Sequence, residues 1–143
     1  MKILIDTNII MDALIGREPF FEQSDKVIKI CADEKIDVNG FLAAHTVTNT
    51  FYLIRKRYSN EATRELLINL FNMLEIVQID SEKIRSAILN KEFKDFEDCL
   101  QVECAKSIQA DYIVTRDAKD FENSEIKCLT PEEFCNKFEE DNE

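Results

Sequence analysis

Three aspartates of this chain, Asp6, Asp98 and Asp117, sit where alternating strands and helices would bring them to one place. Carboxylates crowded into one cleft repel one another and resist ionising unless a cation intervenes. A convergent set therefore predicts bound divalent metal, and all-oxygen ligation suits a hard ion, Mg²⁺ or Mn²⁺. Nothing competes for that role: there is no HExxH motif, His45 is the single histidine, and the five cysteines show no CxxC spacing.

The elements that must position these acids can be read from the pattern. A short apolar run over residues 2–6 predicts a buried strand that ends on Asp6. Residues 112–115, Tyr-Ile-Val-Thr, predict a second strand of the kind buried on both faces of a parallel sheet, with Asp117 two residues beyond it. If both strands run parallel, the two acids share the carboxyl edge, where open α/β sheets bind ligands. A helix over 95–108 joins the second strand through a tight connection at 109–111 and must run antiparallel to it. At ~1.5 Å per helical residue and ~3.3 Å per strand residue, its N-terminus returns Asp98 to the same edge.

The rest of the chain supports that frame. Helices are expected from Thr7-Asn8 towards Leu14, and over 20–32, 42–58 and the amphipathic stretch capped by Ser59-Asn60. Two more are expected after Asp80-Ser81 and from Thr130-Pro131. Further strands are expected at 36–40, 75–79 and 126–129. With 143 residues, 45% hydrophobic, and only two glycines and two prolines, the chain predicts one α/β domain. Its mostly five-stranded parallel sheet would carry helices on both faces. The domain is expected over 1–138, followed by an acidic tail, 139–143, that frays. No apolar run is long enough for a signal region or membrane span, and the odd cysteine set fits reduced thiols, so the cytoplasm is the expected compartment. The net charge of −11 works against binding a phosphate polymer, except where bound cations neutralise the acid cluster; it would also suit a basic protein partner.

Each acid also has an ordinary role. Asp6 could cap the following helix, Asp95 and Asp98 could be an N-cap and a dipole-stabilising acid, and Asp117 and Asp120 could brace a turn. Three such residues have no reason to meet at one edge of a sheet, and the joint arrangement favours a site.

Four segments in order resemble the PIN-domain family, which includes the VapC-like toxins of toxin-antitoxin pairs. They are Ile5-Asp6-Thr7-Asn8-Ile9-Ile10, the DxxD segment Asp95-Phe96-Glu97-Asp98-Cys99-Leu100-Gln101, the segment Val114-Thr115-Arg116-Asp117-Ala118-Lys119-Asp120-Phe121, and the ending Leu129-Thr130-Pro131-Glu132-Glu133-Phe134. The resemblance implies a metal-dependent endoribonuclease with Asp6, Asp98 and Asp117 as metal ligands, leaving a 5′-phosphate and a 3′-hydroxyl. It also implies a homodimer and, for a toxin, an antitoxin protein partner. Asn8 and Thr115 are expected to orient the ligands, and Arg116, Lys119, Lys94 and the Arg55-Lys56-Arg57 run are candidates for holding an RNA backbone.

One departure stands out. The family commonly carries a glutamate on the helix after the second strand, and this chain offers Asn49 there. Lost charge should weaken metal binding, and Asp95, Asp120 or Asp12 could compensate. A PIN-like binding module without turnover is the alternative. A haloacid-dehalogenase-type phosphatase also ends its first strand on aspartate, but wants a second acid two residues on, where this chain has Asn8.

Overall fold

The central strand explains the architecture. In the computed structural model, which describes residues 1–142, β1 (Lys2–Ile5) has Ile3, Leu4 and Ile5 fully buried, as a strand covered on both faces requires. Ile3 and Ile5 pack on one side against α1 (Thr7–Ile15), α2 (Phe21–Ala32), α4 (Asn60–Phe71) and α7 (Pro131–Asn142). Leu4 points the other way, into a cluster with Val102, Cys104 and Ala105 of α6 (Phe96–Ser107). Helix α5 (Ser81–Leu89) packs outside α6 through Ala87 against Cys99 and Leu100.

Four further strands complete the sheet: β2 (Asn39–Ala43), β3 (Glu75–Val77), β4 (Tyr112–Val114) and β5 (Cys128–Leu129). The order is β3-β2-β1-β4-β5, with every neighbouring pair parallel. The expected five-stranded parallel sheet with helices on both faces is therefore present. All five cysteines are free, and among the described residues no helix is long and apolar enough to cross a membrane.

The second strand departs from its expected position. Residues 36–40 read as strand and 42–58 as helix, but β2 occupies Asn39–Ala43 and α3 only Ala44–Ile54. The cause is tertiary. Asn39 N–H donates to Met1 O at 2.8 Å, and Lys2, Ile3 and Leu4 pair with Asn39, Gly40 and Phe41, so β1 sets the register. Gly40 fits inside the strand because a Cβ there would stand 2.5 Å from Leu74 Cδ2 and 2.7 Å from Cys31 Sγ. Ile36 instead belongs to the turn after α2, and Arg55-Lys56-Arg57 lie beyond the end of α3. Strand β3 likewise stops at Val77, two residues short of its expected end.

The connection that places the site behaves as its length demands. Gln109 takes the left-handed conformation (φ 55°) that reverses the chain after α6, and Ala110 N–H donates back to Ala105 O at 3.0 Å. Helix α7 continues in helical backbone to Asn142, and Lys26 pairs with Glu139. Of the acidic end read as a tail over 139–143, Glu143 lies outside the described residues.

Candidate metal centre

Asp6 leaves the sheet and enters the helix in a single residue. Its N–H makes the last rung of β1, donating to Val114 O at 3.0 Å, and its carboxylate caps α1 by accepting from Thr7 N–H at 2.7 Å. The other carboxylate oxygen accepts from Thr115 Oγ1 at 2.8 Å, and the same hydroxyl accepts the Asp117 N–H at 3.1 Å. One buried threonine thus ties two acids from the ends of neighbouring strands. Asn8 Nδ2 donates to Asp117 Oδ2 at 3.0 Å, bracing the third side of the arrangement.

Asp98 arrives from the opposite direction, in the first turn of α6, where Asp95 caps the helix by accepting from Glu97 N–H (2.8 Å) and Asp98 N–H (3.2 Å). Asp6, Asp98 and Asp117 all line one cleft of about 500 Å³, together with Asn8 and Asn49. Asp95 and Asp120 line a neighbouring hollow with Lys94 and Lys119, and Asp98 borders both. Among the described residues, Asp95, Glu97 and Asp98 each bring one carboxylate oxygen within 4.8 Å of the others', a group that Asp6 and Asp117 border without joining.

The electrostatics follow from this crowding. Burial, then the nearby Glu97 and Asp117 charges, push Asp6 up to about 6 despite the Thr115 and Thr7 hydrogen bonds. Burial and the charges of Asp95, Glu97 and Asp6 push Asp98 up to about 8. Among the described residues neither forms an ion pair. A buried carboxylate held only by hydroxyl and amide donors, beside others of its kind, is the donor set a hard divalent cation fits.

Two other acids are disposed differently. Asp12, weighed from sequence as a compensating charge, is fully buried and ion-paired with Arg116 Nε at 2.6 Å and Arg17 at 3.4 Å, so its charge is spent. Arg116 in turn lies 3.9 Å over the Phe20 ring, and lines with Phe20 and Asp117 a hollow separate from the one that holds Asp6 and Asp98. Lys119 and Lys94 remain exposed in the neighbouring hollow, and Arg17 lines the cleft itself.

Sequence reading missed the buried network beside the acids. Glu97 Oε1 accepts from Gln101 Nε2 at 3.1 Å and from Thr7 Oγ1 at 3.4 Å, and lies 2.7 Å from His45 Nε2. Gln101 is fully buried and also reaches Thr46 Oγ1 at 3.1 Å, while Thr7 and Thr46 hydroxyls meet at 2.8 Å. Burial works to raise the Glu97 carboxyl, but the His45 and Gln101 contacts outweigh it and hold it below the usual range. The one legible signal was the Glu97–Gln101 spacing, which puts both on one face of α6.

Comparison with known proteins identifies relatives of the whole chain. Ribonuclease VapC1 of Aquifex aeolicus (strain VF5) is 30% identical over 141 residues, covering 96% of this chain and 95% of that protein. The fold is shared with a toxin-antitoxin complex from Klebsiella pneumoniae, with a TM-score of 0.68 and 21% identity over 90% of this chain and 96% of that one. It is also shared with the DNA-bound VapBC from Salmonella typhimurium, with a TM-score of 0.68 and 17% identity over 92% and 98%. The profile of the PIN domain matches residues 2–119, the span that carries β1, α6 and β4 with their three converging aspartates, and the chain belongs to the PIN-domain family.

Proposed function

We propose that this protein is a divalent-metal-dependent endoribonuclease that hydrolyses RNA phosphodiesters, acting as the toxin of a toxin-antitoxin pair. The observation that carries the reading is the convergence of Asp6, Asp98 and Asp117 in one cleft at the carboxyl edge of a parallel sheet. The relative named as a ribonuclease supports it, since similarity extends over nearly the full length of both chains.

Asp6, Asp98 and Asp117 would hold Mg²⁺ or Mn²⁺. Such an ion, when bound, activates water and offsets the charge that builds on phosphoryl oxygens. The chain's own residues do the positioning. Thr115 fixes Asp6 and Asp117 relative to each other through one hydroxyl, and Asn8 fixes Asp117 from the side of α1. Arg17 at the cleft and Lys94 and Lys119 in the adjoining hollow offer positive charge for the RNA backbone within an otherwise acidic protein.

Free cysteines throughout fit a reducing cytoplasm. Exposed Tyr52 and Leu53 at the mouth of the cleft, and Ile84 and Ile88 on α5, supply apolar surface for an antitoxin or a second copy of the chain.

The test is cleavage of a mixed single-stranded RNA pool in Mn²⁺, Mg²⁺ or EDTA by wild type, Asp6→Asn and Asp98→Asn prepared identically. Metal-dependent cutting that both substitutions remove is the expected result. Cutting that survives both would mark a contaminating nuclease, and none from wild type would favour a PIN-like binding module.

A further inference from the structure

The helix after β2 carries Asn49 where the family commonly has an acid, and we propose that Glu97 of α6 supplies the missing fourth carboxylate of the metal centre, with His45 as its positioning residue. The assignment rests on the reading of the cleft as a metal-dependent nuclease centre.

Glu97 and Asp98 are adjacent in sequence, yet their carboxylates serve one cavity, with ligand oxygens of Asp95, Glu97 and Asp98 within 4.8 Å. Glu97 is not a freely solvated helix-start acid. His45, Gln101 and Thr7 all bear on the same oxygen, Oε1, and so fix one edge of the carboxylate while the group lies against that of Asp98. A carboxylate gripped by one oxygen from behind offers the other to a ligand in front, as metal-binding carboxylates do.

The grip is costly for the fold, which argues that it serves the site. Gln101 is fully buried, and its amide is used on Glu97, Thr7 and Thr46 while its own carbonyl Oε1 has no partner. His45 Nδ1 is likewise buried and unpartnered. Stability alone would favour an apolar contact between α3 and α6 at this point. Helix α3 presents His45 and Asn49 one turn apart, four residues being one face of a helix. The helix that lacks the acid is therefore the one that holds its replacement, borrowed from α6.

The decisive experiment is Mn²⁺ titration, followed by electron paramagnetic resonance and calorimetry, on wild type and five variants whose melting is checked first. Glu97→Gln is expected to weaken Mn²⁺ affinity roughly tenfold or more, and His45→Phe by roughly 10- to 100-fold, the range for residues that orient a ligand. His45→Gln, whose amide can still donate to Oε1, should keep most of the affinity. Asn49→Glu placed in the Glu97→Gln background should restore it by returning the acid to α3. Wild-type affinity in Glu97→Gln alongside lost binding in Asp98→Asn would overturn the proposal and leave the metal centre standing. Absence of Mn²⁺ binding by wild type would overturn both. Should His45→Phe melt early, the Asn49→Glu rescue decides alone.

Discussion

Asp6 and Asp12 lie six residues apart, one at the start of α1 and one within it, and both are withdrawn from solvent, but their surroundings differ in kind. Asp12 is matched by two guanidiniums, and Arg116 is itself covered by the Phe20 ring. Asp6 has hydroxyl and amide donors and acidic neighbours. Burying a carboxylate is costly, and at Asp12 the two guanidiniums offset part of that cost, although burial still holds its carboxyl above the usual range. At Asp6, among the described residues, no cation of the chain plays that part, which is the role the proposed metal would take. The contrast separates an acid matched within the fold from one that is not, and it rests on no relative.

The largest expected effect tests the functional side. Asp6→Asn should lower metal-dependent RNA cutting by roughly a hundredfold or more, since several kcal/mol of transition-state stabilisation are at stake at about 1.4 kcal/mol per decade. The same variant should melt, without metal, no lower than wild type, because it removes a carboxylate that burial disfavours. A metal-free melting temperature well below wild type would erase the distinction between the two aspartates.

Asp12→Ala should do the reverse. Removing one partner of a buried ion pair leaves Arg116 uncompensated; because Arg116 is partly exposed, the low end of the usual range applies, about 3 kcal/mol. For a domain of this size that is a melting temperature lower by roughly 10 °C. Calorimetry without metal checks it, and a loss under about 1 kcal/mol would mean that the pair contributes little.

The pH dependence of stability sharpens the same point. Asp6, at about 6, and Asp98, at about 8, both stand above the ordinary 3.8, so their protonated forms favour the folded state. Stability without metal should therefore fall as pH rises from about 4 through 8, as these groups are made to ionise in the fold. Saturating Mn²⁺ should oppose that fall, since only the ionised carboxylates bind it. Melting curves between pH 5 and 8.5, with and without Mn²⁺, read both slopes; a metal-free melting temperature rising across this window would contradict the crowding of these acids.

These contrasts were only partly legible in the sequence. Asp6 and Asp117 could be placed because each follows a short apolar run, and Asp98 because a helix of known rise must return its start to the sheet edge. The register of β2 was not legible: Ile36 and Val38 look more strand-like than Gly40-Phe41-Leu42-Ala43, and only pairing with β1 decides between them. Nor was the grip on Glu97, because His45 lies 52 residues away and nothing in its own neighbourhood announces a partner. Arg116 was misleading for the same reason, its proximity to Asp117 in sequence concealing its commitment to Asp12.

That last pair of cations gives the smallest effect. Arg116 and Lys119 are three residues apart, one ion-paired and stacked in the structure, the other exposed beside the acids. If Lys119 meets an RNA phosphate, Lys119→Ala should weaken RNA binding modestly and lower the dependence of log affinity on log salt concentration by about 0.7, the value for one contact to a single strand. Melting should not change, whereas Arg116→Ala should act chiefly on melting. Binding isotherms at several salt concentrations, run on catalytically silent Asp98→Asn protein so that the RNA survives, separate the two. An unchanged salt slope in the Lys119 variant would assign Lys119 to ordinary solvated charge and move the search for the backbone contact to Arg17, which lines the cleft with Asp117.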